Sequence, residues 1–105
     1  SDEGYVFIPL SSIEFLQDTE NSTRFYLNNG KAIDTEMTFD YFKSFMQPFG
    51  FYLVHNEHLI NAEHIKSYDS ISGYFATRRG NIVPTSDEEI QVLLADFQKG
   101  KVSLV

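Results

Sequence analysis

Short apolar runs separated by polar turns set the pattern of this chain, which lacks long helical stripes. Tyr5-Val6-Phe7-Ile8 reads as a strand ended by Pro9, which cannot donate to a ladder. Ile13-Glu14-Phe15-Leu16-Gln17 alternates like a half-buried strand and gives way to the polar loop Asp18 to Thr23, after which Arg24-Phe25-Tyr26-Leu27 resumes. Asn28-Asn29-Gly30 tolerates positive φ, so Lys31 to Glu36 is expected to pair back on its neighbour as part of a meander. Thr38 then offers a helix N-cap with Asp40 in the first turn, and Phe39, Phe42, Phe45, Met46 and Phe49 follow at helical spacing until Pro48 and Gly50 stop it.

The stretch from Phe49 to Ile65 organises the rest. Its apolar runs Tyr52-Leu53-Val54 and Leu59-Ile60 flank a polar island, His55-Asn56-Glu57-His58, too short for a helix and placed where a loop on a rigid frame displays binding residues. Further strands are expected at Ile65 to Tyr68, Tyr74 to Thr77 and Ile82 to Pro84, with turns at Asp69 to Gly73 and Arg78 to Asn81. Ser86-Asp87-Glu88-Glu89 reads as a capping box, opening a helix with Ile90, Leu93, Leu94 and Phe97 on one stripe and Gly100 as its stop. The pattern predicts a mainly β fold of small antiparallel sheets packed together, about eight to ten short strands with two short helices.

At 105 residues the chain makes one domain, and ten Phe with six Tyr supply the large rings that a small core needs. With no cysteine, neither a disulfide framework nor a thiolate metal site can form, which favours the cytoplasm, and no run reaches the length of a membrane span. Ser1 in place of Met suggests an excised or processed end, with flanking domains beyond it. The net charge of −7 argues against binding nucleic acid by bulk electrostatics, but the charge is uneven. Residues 1–50 carry −5, residues 51–85 are neutral and residues 86–105 carry −2, so the organising stretch lies in the least acidic third.

Catalytic and metal chemistry find little support. His55, His58 and His64 fall in a loop and its flank, with no His-Glu-x-x-His pattern to make them converge, so no metal or other cofactor is expected. Asp87, Glu88 and Glu89 are accounted for by the helix dipole, and no nucleophile or phosphate-loop signature is present; the chain does not read as an enzyme. Arg78-Arg79 reads as a solvated hairpin tip before a phosphate contact. Asn56 can bond base edges or phosphates if its loop enters a groove, and can equally stabilise its own turn.

Phe51-Tyr52-Leu53-Val54-His55-Asn56-Glu57-His58-Leu59-Ile60-Asn61 with Ile65 beyond, a hairpin ending at Gly80, and Val83-Pro84-Thr85-Ser86 before the last helix resemble the LytTR DNA-binding domain family. The resemblance covers about Tyr5 to Phe97 and implies a single LytTR-like domain over residues 5–98, with 1–4 and 99–105 as flanking ends. It implies an output domain of a bacterial response regulator in a two-component system, whose loops enter successive major grooves of repeat-containing double-stranded DNA. An upstream receiver or other signalling domain and a homodimer on DNA would accompany that role. By position the contacting residues are Asn21, Ser22, Thr23, Arg24, His55, Asn56 and Ser86, with Asn61 a structural hydrogen-bonder. Glu57 stands where the family has Ser and Asp87 where it has Arg, and Asp18 and Glu20 are acidic as well, so the implied contact face is acidic. The alternative is a module of the same fold that has lost DNA contact and serves protein interaction or signal relay.

Overall fold

The computed structural model describes residues 4–100. Eight strands form two antiparallel sheets among these residues. The larger joins β1 (Ile13–Asp18), β2 (Thr23–Leu27), β3 (Ala32–Thr35), β4 (Phe51–His55) and β5 (His58–Asn61) in the order β3-β2-β1-β5-β4. The smaller is the meander β6 (Ile65–Asp69), β7 (Tyr74–Thr77) and β8 (Ile82–Pro84). Helices α1 (Phe39–Lys43) and α2 (Gln91–Gln98) complete the frame. No helix among the described residues is long and apolar enough to cross a membrane.

Strand alternation explains why the larger sheet is covered on both faces. Phe15, Tyr52, Val54 and Ile60 point one way and meet Ile65, Phe75 and Val83 of the smaller sheet together with Ile90 and Leu93. Leu16, Phe51 and Leu59 point the other way and pack with Phe39 and Met46. Ile13 joins Leu16 on that second face although three positions separate them, because a bulge between Ile13 and Phe15 shifts the register by one residue. The bulge turns Glu14 inward. Its carboxylate, 1% exposed, accepts from Thr77 Oγ1 at 3.1 Å and Asn81 Nδ2 at 2.8 Å, tying the central strand of one sheet to the hairpin of the other.

Local turn chemistry accounts for the connections. Gly30 takes φ 90° and donates to Leu27 O at 3.0 Å, and Gly73 takes φ 78° and donates to Asp69 O at 2.8 Å. Asn61 donates Nδ2 to Ile13 O at 2.9 Å and accepts from Glu63 N–H at 3.0 Å, so it clamps the start of β1 to the short turn Ala62–His64.

Three expectations are corrected. Tyr5 to Ile8 is not a strand: the segment makes no ladder, and Tyr5 and Phe7 lie 88% and 91% exposed. The aromatic helix stops at Lys43, after a proper Thr38 cap on Tyr41 N–H at 3.4 Å. Ser44 Oγ takes the Tyr41 carbonyl at 2.7 Å and Pro48 has no N–H to continue the ladder, so only a short turn at Gln47–Phe49 follows, with Met46 buried and Phe45 and Phe49 outside. The last helix begins at Gln91, not at Ser86. Ser86 N–H is already committed to Val54 O at 2.8 Å, which denies Glu89 its capping-box donor; Ser86 Oγ instead meets the Glu89 carboxylate at 3.3 Å.

Candidate functional site

Four loops meet at one end of the two sheets. The β1–β2 loop, residues 19–22, lies against the β4–β5 turn because Asp18 N–H donates to Glu57 O at 2.9 Å. Ser86 is fastened to the same corner through Val54 O, and the β6–β7 turn arrives beside it through the 3.0 Å bond from Thr85 N–H to Gly73 O. Behind them Tyr52 Oη donates to Asp96 Oδ2 at 2.7 Å, anchoring α2 on β4; burial, and then that carboxylate, push the Tyr52 phenol up to about 12.

The β4–β5 turn is the best supported of the four. His58 is not part of the loop, as the polar island suggested, but a buried residue of β5 paired with His55 across the hairpin. The turn reduces to Asn56 and Glu57, both exposed. Glu57 N–H donates to His55 Nδ1 at 3.3 Å, so that nitrogen carries no proton, and His58 Nδ1, also 3.3 Å away, must be a donor to it. Burial, and then the neighbouring His55, hold His58 down at about 4. The His58 ring therefore stays neutral near neutral pH, and the two rings brace the turn from beneath. The Asn56 amide makes no hydrogen bond among the described residues, so its donors and acceptor face outward rather than stabilising its own turn.

The other expected contact residues divide. Asn21 is exposed at the loop tip, and Ser22 is tied by its hydroxyl to Thr19 Oγ1 at 2.6 Å. Thr23 is fully buried with Oγ1 donating to Met37 O at 3.0 Å, which leaves it no surface to offer a ligand. Arg24 forms a two-pronged pair with Asp34, at 2.7 and 3.1 Å, so its charge is matched within the protein. The same pair pushes Arg24 above, and Asp34 below, its ordinary range. His64 lies away from the other histidines, with Nε2 at 2.6 Å from Ser11 O, and no group of three metal-ligating side chains gathers among the described residues.

Two features escaped the sequence. Glu20 takes φ 79°, a left-handed conformation costing about 1 kcal/mol for a residue with a Cβ, with its N–H on Asp18 Oδ1 at 3.0 Å. The β6–β7 turn, legible as a turn, was not legible as part of the site. Asp69 Oδ1 there accepts from Ile71 and Ser72 N–H at 3.0 Å each, and the Ser72 bond chiefly holds its carboxyl below the usual range. The assembled end carries Asp18, Glu20, Glu57, Asp69, Asp87 and Glu88, and the nearby Arg24 is neutralised by Asp34. Such a surface offers exposed amides and hydroxyls for hydrogen bonding within a negative field.

The sequence matches the family described as the LytTr DNA-binding domain over residues 3–98. The fold is similar to a solved structure, the LytTr DNA-binding domain of a protein described as a methyl-accepting/DNA response regulator from Bacillus cereus. That likeness has a TM-score of 0.74 at 19% sequence identity and covers 90% of this chain and 89% of that one, which speaks for the fold. No curated protein matches.

Proposed function

We propose that this chain, which belongs to the LytTR family of DNA-binding domains, binds double-stranded DNA by inserting the loops of the acidic end into major grooves. The observation that carries this reading is the Asn56 amide, exposed and without a hydrogen-bond partner among the described residues, at the tip of a turn braced by His55, His58 and Asp18 N–H. An amide so placed can give and take a hydrogen bond on adenine without needing charge. Asn21, the half-buried hydroxyls of Ser22 and Ser86, and the half-buried His55 flank it. Thr23 and Arg24 of the expected set act from behind, as a packed strand residue and a matched ion pair. In this reading the domain is the cytoplasmic output part of a transcriptional regulator, joined to a receiver or other signalling domain, with two copies on a repeat-containing site.

A second reading is favoured by the charge of the same end: a surface of six carboxylates suits a basic protein partner better than a polyanion. One set of measurements separates the two. The double change Glu57→Ser with Asp87→Arg removes two repulsions and adds a cation, so binding to a repeat-containing duplex should tighten on the order of tenfold at low salt, with the log-log salt slope steeper by about one. Asn56→Ala should weaken binding by about 1 kcal/mol and leave the slope unchanged, because an amide releases no counterion. A folded double variant that binds no duplex more tightly than the parent at any salt concentration removes groove docking and leaves the interaction module.

A further inference from the structure

Arg78 and Arg79 take no part in the loop cluster. Tyr74 pairs with Pro84 near that cluster, whereas Ala76 pairs with Ile82 and Thr77 N–H reaches Asn81 O, so the Arg78–Asn81 turn closes the opposite end of the hairpin. The β2–β3 turn meets it there. Arg79 Nη1 donates to Asn28 O at 3.5 Å, and Nη2 lies 2.6 Å from where a Cβ on Gly30 would stand, so the guanidinium rests over a glycine that leaves room for it. Arg78 points to the other side, Nε donating to Glu63 O at 3.2 Å and its backbone N–H to His64 O at 2.9 Å. Lys31, exposed, follows Gly30, its N–H held by Asn29 Oδ1 at 2.9 Å.

Backbone carbonyls, not carboxylates, therefore orient both guanidinium groups. The ion pairs among the described residues, Arg24–Asp34 and Lys43–Asp40, involve none of these three cations. Among the described residues near this end, Glu14 is buried against Thr77 and Asn81, and Glu63 is exposed. A chain of net charge −7 thus keeps a cationic end, separated from its acidic one by the length of the sheets.

We propose that Arg78, Arg79 and Lys31 form a second nucleic-acid site that grips phosphodiester oxygens without regard to base sequence. Guanidinium forks match phosphate oxygens with paired donors, and the exposed Asn28 and Asn29 beside them add amide donors. Carboxylates of an acidic protein could satisfy the same charge. Phosphate is favoured because the chain belongs to a DNA-binding family, and at its other end the nearby Arg24 is already matched by Asp34 and so offers no free charge to release counterions. The inference rests on the reading above for the kind of polymer and not for which end docks. The two sites face opposite ways, so one domain would hold two duplex segments.

The test compares the parent with Arg78→Ala/Arg79→Ala on a duplex of arbitrary sequence across a salt series. Each lost phosphate contact removes about 0.9 from the slope of log affinity against log salt, so the double variant should flatten it by about two, and Lys31→Ala alone by about one. Nitrogen-15 spectra of the parent give a readout that needs no variant to fold: duplex should shift the Arg78 and Arg79 Nε–H signals. An immobilised duplex should also capture a second labelled duplex through the parent and not through the double variant. An unchanged salt slope in a folded variant, Arg78 and Arg79 signals that ignore the duplex, or poly-glutamate competing as well as duplex of equal charge would each overturn the phosphate site. Asn56→Ala reports on the loop end separately, so either site can fail without the other.

Discussion

Acidifying the protein should destabilise it through His58 before most carboxylates titrate. His58 is 7% exposed, lies 6.1 Å from the Phe15 ring by centroids, and its one ring-nitrogen partner is another imidazole. A proton added there forms an unsolvated cation beside His55, which is why its folded value is about 4 against an ordinary 6.5. Between those values the unfolded chain binds the proton and the folded one does not, so stability is complete above about pH 7 and falls as pH drops through the unfolded value. The loss should be on the order of 1 kcal/mol by about pH 5.5 and on the order of 2–3 kcal/mol once pH falls below the folded value. Urea midpoints of the parent and of His58→Leu, measured over that range, isolate the contribution because the carboxylates titrate alike in both. The difference between the two proteins should shrink or reverse on acidification. Curves that stay parallel within about 0.5 kcal/mol from pH 7 to 4.5 would refute the buried neutral imidazole.

Glu14→Ala should lower stability by about 2–4 kcal/mol in denaturant unfolding, since it strands Thr77 Oγ1 and Asn81 Nδ2 between the sheets, while Glu14→Gln, which keeps an acceptor, should lose about half as much. Asn61→Ala removes the clamp on Ile13 O and the cap on Glu63 N–H and should cost about 2–3 kcal/mol by the same assay. Zinc or a chelator should leave the melting temperature within about 1 °C, because His64 is engaged with Ser11 O and does not converge with the His55–His58 pair.

The sequence by itself determined what depends on near neighbours. The glycine turns at Gly30, Gly73 and Gly80, the Thr38 cap, the alternation of β4 and the family pattern around His55-Asn56 were legible because φ preference, capping and strand period act within a few residues. Tertiary structure decided the rest, through contacts that no local window contains. Glu14 reads as the solvent side of an alternating strand, yet a bulge and partners 63 and 67 residues away bury it. Ser86 and Glu89 read as a capping box, but a bond to Val54, far upstream, removes the donor the box requires. Tyr5 to Ile8 has strand composition but forms no ladder although the β3 edge is unpaired; only Ile8 packs, against the second face of the larger sheet, while Tyr5, Val6 and Phe7 stay exposed. Which loops share an end likewise followed from the strand order β3-β2-β1-β5-β4 and from the smaller sheet packed against it. Long-range pairing sets that order and gathers six carboxylates at one pole and Arg78 and Arg79 at the other, a separation of charge that the summed composition conceals.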